Sequence, residues 1–334
     1  MGNLYNCIWP AVVSLAFGAT LSSCILEDIE ACSDRLPFTI ENDWRSCPDA
    51  APGGMAYIFF PDDGSEPWRF DFAGRDAGEV KMAPGSYRFL SYNDDTAHVL
   101  FREDGGYDSY KAYTGETDLL GLIPPVDRGE SLPRIADERI LECPDMMWGC
   151  AYYDFSLRYD GVYYMPAAAP RSRSRMEYSP DFVLTAAQRP LTAHYSFRIE
   201  DIENLSGVKS MSAALSGIAG AMLIASGVKE DYPSTLTFKA SILDAATAGG
   251  EFFTFGIPDA PSAPNIFSLF VVLKDGRRFC YRFDVTDRVR SAPDPMNVSL
   301  IMRGIKLEEP DPESDAGFDV SVDGWETVIV NIDA

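Results

Sequence analysis

Apolar and polar positions alternate with a period of two in short runs along most of this chain. Trp68-Arg-Phe-Asp-Phe72 and Ala193-His-Tyr-Ser-Phe-Arg-Ile199 place apolar side chains on one face, the signature of half-buried strands. Met55 to Phe60 is an unbroken apolar strand, halted by Pro61-Asp62-Asp63-Gly64. Pro84-Gly85 predicts a turn before a strand carrying Tyr87, Phe89 and Tyr92, and Ala97 to Phe101 predicts another. Asp154 to Met165 reads as paired strands around Asp160-Gly161. Ser268 to Leu273 and Arg278 to Val285 form the clearest hairpin, joined by Lys274-Asp275-Gly276-Arg277; Asp-Gly suits a type I′ turn. Phe318 to Val322 and Trp325 to Ile332 predict a second hairpin around Asp323-Gly324.

Ser210 to Gly227 carries no charge and is long enough to raise the question of a membrane helix. Its serines and glycines dilute the hydrophobicity, so buried strands are expected there instead. Residues 119–136 are rich in Pro and Gly and read as loop, as does the stretch Pro166 to Ser174. No strong amphipathic helix competes. The expectation is an all-β chain of two tandem β-sandwiches, over residues 38–180 and 181–334.

The amino-terminal region follows other rules. Ile8 to Thr20 is a short apolar run, too short for a stable membrane span, ending at Leu21-Ser22-Ser23-Cys24. That ending resembles the bacterial lipobox. The resemblance implies a signal peptide over residues 1–23 and a lipidated Cys24, anchored in the outer membrane through acyl chains. No Lys or Arg precedes the run, a departure from the usual signal. The alternative is an ordinary secreted chain cleaved near Ser23. Residues 24–37 read as an acidic tether through Glu27, Asp28, Glu30 and Asp34, which resembles the surface-export signal of Bacteroidetes lipoproteins.

Charge narrows the partners. A net charge of −23 excludes a nucleic-acid role, which needs a basic surface, and disfavours direct adsorption to anionic lipid. Seven cysteines are present. Cys7 leaves with the signal and Cys24 takes the lipid. In an exported chain, Cys143–Cys150 and Cys32–Cys47 are candidate local disulfides. Cys280 sits in a strand-like run and reads as a buried thiol.

Catalytic chemistry finds little support, and the chain is expected to be no enzyme. The two histidines, His98 and His194, lie in separate strand-like runs. No nucleophile elbow, zinc motif or phosphate loop occurs, so no catalytic residue, metal or cofactor is assigned. Asp62-Asp63 and Asp94-Asp95 fall in turns, where Asp supports the backbone. Asp311, Glu313 and Asp315 alternate in a Pro-rich loop without calcium-loop spacing. Trp44, Trp68 and Trp325 fit packing roles. Trp148, in Pro144-Asp-Met-Met-Trp-Gly149, is a candidate ligand contact. Asp95-Thr96-Ala97 resembles the Bacteroidetes O-glycosylation pattern, which makes Thr96 a candidate site. Arg171 to Arg175 reads as an exposed loop.

Met82-Ala-Pro-Gly-Ser-Tyr87, followed by Ser91-Tyr-Asn-Asp-Asp-Thr-Ala-His-Val99, resembles a segment of Bacteroidales fimbrillin-like and fimbrial-anchor lipoproteins. Pro144 to Gly149, Leu215-Ser-Gly217, Phe253 to Gly256, Asp284-Val-Thr286 and Gly317 to Trp325 follow in the same order. The resemblance implies two transthyretin-like β-sandwiches and a surface lipoprotein serving as anchor or accessory subunit of a fimbria. It implies fimbrillin-type pilins as partners, joined by strand addition. The C-terminal hairpin, with Phe318, Val320, Val322, Trp325, Val328 and Val330, is the candidate partner-binding element. The alternative is a glycan-binding lipoprotein of a polysaccharide-uptake system, which would line Trp148, Trp44 or the aromatics from Tyr107 to Tyr113 along one exposed face.

Overall fold

Strand pairing organises the chain into five sheets, seen in a computed structural model that describes residues 35–102, 106–117, 138–165, 176–261, 263–310 and 325–330. The first sandwich has a small sheet of β12 (Val183–Ala187), β1 (Leu36–Asp43) and β4 (Glu79–Met82). It faces a larger sheet in the order β11 (Glu177–Ser179), β10 (Gly161–Tyr164), β9 (Trp148–Arg158), β5 (Gly85–Asn93), β2 (Gly54–Pro61), β3 (Trp68–Ala73), with β13 (Arg189–Pro190) paired to β9. Phe38, Ile40, Met55, Tyr57, Phe59, Phe89, Tyr152 and Phe155 fill the space between them.

The opposite face of the larger sheet is covered as well. A third sheet of β16 (Ala221–Leu223), β7 (Lys111–Thr114) and β6 (Val99–Arg102) contributes Ala112 and Met222 to a second core layer, and the turn leading into β7 adds Tyr107 and Tyr110. This explains why Met55 to Phe60 is continuously apolar. Met55, Tyr57 and Phe59 point into the first core, while Ala56, Ile58 and Phe60 enter the second. A strand buried on both faces has no reason to alternate.

In the second sandwich, β18 (Ser241–Ile242), β19 (Ala248–Thr254), β14 (Ala193–Glu200) and β22 (Asn297–Arg303) form one sheet. The other runs β23 (Glu326–Val330), β21 (Arg278–Asp284), β20 (Ile266–Leu273), β15 (Val208–Ala219), β17 (Pro233–Lys239), β8 (Arg139–Glu142). Tyr195, Phe197, Leu215, Phe238, Phe267, Phe283 and Leu300 pack between them. One short helix, α1 (Thr286–Arg290), joins β21 to β22 and buries Val289. The uncharged stretch after Ser210 is therefore β15 and β16, as expected, and no helix among the described residues is long and apolar enough to cross a membrane.

Four pairings cross the expected division at residues 180 and 181. β12 pairs in parallel with β1 of the first sandwich, β13 pairs with its β9, β8 pairs in parallel with β17 of the second, and β16 reaches back to β7 of the first. Periodicity marks a strand but says nothing about which distant edge it joins. The tether is shorter than expected, because Leu36 and Pro37 already pair with Met82 and Lys81.

The turn at Asp275-Gly276 also differs in type. Gly276 has φ +89°, but Asp275 is not among the residues with positive φ, whereas a type I′ turn needs both. Leu273 N–H donates to Arg277 O at 2.9 Å and Gly276 N–H to Leu273 O at 3.0 Å. That is the longer hairpin loop in which glycine alone takes the left-handed conformation.

The expected Cys143–Cys150 disulfide does not form. Cys143 is a free thiol in contact with the second sandwich core, its Sγ 3.4 Å from Thr237 O. Cys150 is a free thiol in the first core, 3.2 Å from Ser91 Oγ. Closeness in sequence was misleading, because the chain passes from one sandwich to the other between them. Burial pushes both thiols up to about 12, so they stay protonated at neutral pH. Cys280 is free and fully buried, as its sequence setting suggested. Cys47 is free, and Cys32 lies outside the described residues.

Candidate functional site

The C-terminal strand β23 is the edge of the six-stranded sheet and the site with the clearest capacity for a partner. It pairs in parallel with β21, from Phe279 opposite Glu326 to Phe283 opposite Val330. Its sequence, Glu-Thr-Val-Ile-Val, explains both the strand and its seating: β-branched residues fit a pleated surface. Val328 and Val330 pack against the second sandwich core, while Ile329 points out and is 79% exposed. Among the described residues no strand lies beyond β23. The outer side of an edge strand offers backbone N–H and C=O groups for pairing.

Several other edges are blunted. β8 carries Arg139 and Glu142, and β3 carries Arg69 and Asp71, which pair with each other at 3.0 Å. The β22 edge has Ile301 O engaged by the Arg288 guanidinium. β18 spans only two residues. Beyond Glu326, β23 has neither a charged residue nor a proline to discourage pairing.

Behind the edge, the sheet face away from the core is lined by Ala214, Phe270 and Cys280, all fully buried. Trp325 leads into β23, its ring edge-on to Phe270 with centroids 5.4 Å apart. Among the described residues, the buried Trp325 Nε1 and the hydroxyls of Ser210 and Ser212 have no hydrogen-bond partner. Next to the edge, burial foremost, together with the Glu308 and Glu326 carboxylates, pushes the Tyr281 hydroxyl up to about 12.

The expected hairpin is thus half described. Trp325, Val328 and Val330 sit at this edge, but their strand pairs with β21. Phe318, Val320 and Val322 lie outside the described residues, as do Cys24, Asp311, Glu313, Asp315 and Arg171 to Arg175.

The remaining candidates fall elsewhere. Trp148 begins β9, donates its N–H to Asn93 Oδ1 at 2.8 Å and packs on the first core. Trp44 is buried, with Nε1 donating to Arg75 O at 3.1 Å. Trp68 is half-buried beneath Arg35, whose guanidinium carbon stands 4.8 Å from the ring centroid. Tyr107 and Tyr110 are buried between layers, so these aromatics form no exposed binding face. Their burial has a simple cause: the third sheet stacks on Tyr92, whose hydroxyl is 2.6 Å from that of Tyr110. The Thr96 hydroxyl donates to Val99 O at 3.3 Å in the loop before β6. Asp63 accepts from Ser65 N–H and Asp95 from Gly53 N–H, the backbone-supporting roles expected of them. No group of three or more metal-ligating side chains converges among the described residues.

His194 Nε2 lies 3.3 Å from Glu251 Oε2 on an outer face. His98 is tied to the 144–147 segment: its N–H donates to Asp145 Oδ2 at 2.6 Å and its ring Nδ1 lies 3.1 Å from Asp145 Oδ1. The side-chain hydrogen bond to Asp145 raises the His98 pKa. Burial acts to raise Asp145, but hydrogen bonds from the His98 backbone and ring outweigh it, and the net direction is down. The histidine's contribution to stability is therefore present below about pH 6.5 and is lost as pH rises through its folded pKa. The aspartate's is present above about pH 4 and is lost as pH falls through its folded pKa. A thermal-midpoint series is expected to show the pair's contribution greatest between these limits. Asp145→Asn removes that pH dependence, and NMR titration shows the His98 pKa falling back.

Comparison with known proteins places this architecture. A family model described as "Domain of unknown function (DUF5119)" matches residues 23–239. A Bacteroides ovatus protein named "Putative fimbrium anchoring subunit Fim4B" is 32% identical over 120 residues, a match covering 35% of this chain and 35% of that protein. The chain thus matches about a third of the length of that curated relative. A crystal structure of "a putative adhesin" from Bacteroides ovatus aligns over 87% of this chain and 99% of that one, with TM-score 0.60 and 18% identity. The fimbrial anchor protein Mfa2 from Porphyromonas gingivalis aligns over 84% and 94%, with TM-score 0.45 and 11% identity.

Proposed function

We propose that this chain, which belongs to the DUF5119 family, is a non-catalytic cell-surface protein that anchors or caps a fimbria. In this reading Cys24 carries the lipid that holds it in the outer membrane, and the 24–35 stretch spaces the sandwiches from the bilayer. The partner is a fimbrillin-type subunit, and it docks by adding an extended strand to β23. The observation that carries the reading is the unblunted edge, five residues long, with Ile329 79% exposed. Main-chain hydrogen bonds along such an edge give affinity, and alternate side chains give specificity. The named relative, a fimbrium anchoring subunit by its printed description, supports the direction of the proposal.

The test is a crosslinking pull-down of the tagged full-length chain from its native cells, followed by mass spectrometry. Fimbrillin-type β-sandwich subunits are expected with the wild type. Cys24→Ala is expected to leave that complex intact but release it into the medium. Recovery of glycan-uptake components alone, or retention of Cys24→Ala in the membrane fraction, overturns the proposal.

A further inference from the structure

We infer that the parallel pair β1–β12 is a force-bearing clamp, through which tension between the amino-terminal side of the chain and the second sandwich passes as shear. The inference rests on the anchoring role proposed above only for the source of the load. The clamp itself is a property of the strand arrangement.

That arrangement follows from chain direction. The chain enters β1 at Leu36. It leaves the first sandwich through the end of β12, passes Gln188 and β13, and opens the second sandwich at Ala193 in β14. The two strands run parallel, in register from Thr39 opposite Val183 to Asp43 opposite Ala187. Entry and exit therefore lie at opposite ends of one ladder. Pulling them apart slides β1 along β12, and the hydrogen bonds that cross between the strands are loaded together. An antiparallel pair would have put both points at one end, where the bonds open one at a time.

The ladder is fastened at both ends. Thr39 N–H donates to Phe182 O at 2.8 Å at the entry end, and Gln188 N–H donates to Asp43 O at 3.0 Å at the exit end. The fully buried Gln188 side chain repeats the link, its Nε2 donating to Asn42 Oδ1 and to Ser91 Oγ, both at 2.9 Å. The Tyr152 hydroxyl donates to Thr185 O at 2.6 Å and accepts from Ala187 N–H at 2.9 Å, which ties the exit half of β12 to β9. The entry half of β1 is held on its other side by β4, from Leu36 opposite Met82 to Thr39 opposite Glu79. Sliding also drags Phe38 and Ile40 through the close-packed first core. Load thus crosses from β1 to β12 and on to β14 by the shortest route.

The experiment stretches the purified full chain in an optical trap, with handles attached through a non-natural amino acid at two positions. Positions 35, 181 and 189 are all exposed. Handles at 35 and 189 load the ladder from opposite ends, and handles at 35 and 181 load it from the same end. The rupture force is expected to be at least about twofold higher for 35 and 189, because forced unfolding follows the unfolding rate and that geometry must break the whole ladder in one step. Gln188→Met, its fold verified by urea denaturation, is expected to lower the force for 35 and 189 and to leave that for 35 and 181 unchanged. The wild-type comparison decides the matter by itself if that variant does not fold. Equal forces in the two geometries, a higher force for 35 and 181, or an equal loss in both for Gln188→Met overturns the inference. These outcomes read the purified chain alone, so failure to capture a fimbrial subunit leaves them untouched.

Discussion

Ile329→Lys is expected to abolish capture of the fimbrial subunit while leaving the fold unchanged. The side chain is 79% exposed and points away from the core, so lysine there costs little in stability. Its effect on an incoming strand is large. A charge on an otherwise open edge is the device by which proteins prevent strand addition, because pairing would desolvate it without a partner. Thermal midpoints of the two proteins should agree, while retention of the subunit on immobilised chain should be lost. Retention at the wild-type level would mean that the partner does not use β23.

Phe59→Ala is expected to lower stability by about 3–5 kcal/mol, the usual cost of truncating a buried phenylalanine. Phe59 is fully buried at the centre of the first core. Its ring lies 4.9 Å from Phe89, 5.1 Å from Phe155 and 5.6 Å from Phe38, joining both sheets of the sandwich. β2 is covered on both faces, so the surrounding strands have little freedom to collapse into the void. Urea denaturation checks this through a lower midpoint at unchanged slope. A loss below about 1 kcal/mol would mean that the site relaxes around the deletion.

Phe59 also illustrates what could be read from the sequence. The apolar run from Met55 to Phe60 announced a buried strand, and the hairpin from Ser268 to Val285 was legible from its alternation and its Asp-Gly turn. These signals are local, since a side chain's alternation follows from its own strand's pleat. Pairing is different. Nothing in Val183–Ala187 encodes that it lies parallel to β1, or in Ala221–Leu223 that it leaves the second sandwich to join β7. Such contacts depend on where distant edges meet. The thiols of Cys143 and Cys150 separate for the same reason.

The candidate site was legible in part. Trp325, Val328 and Val330 were singled out as part of the expected C-terminal hairpin, and they sit at the sheet edge with β21 as a parallel neighbour on one side; the other strand of that hairpin lies outside the described residues. Trp148 and the Tyr107–Tyr113 aromatics drew notice as ligand contacts because tryptophan and tyrosine suit sugars. Trp148 packs on the first core, and the burial of Tyr107 and Tyr110 follows from the third sheet, which no periodicity foretold.

The most direct test of strand addition at β23 places a photo-crosslinking amino acid at position 329 of the full-length chain in its native cells. Position 196, on the outer face of the other sheet of the same sandwich, carries the same probe as control. The account predicts an adduct at 329 with an extended segment of a fimbrial subunit, and none at 196. Adducts at 196 alone, or no adduct at 329 in cells that assemble fimbriae, would contradict it.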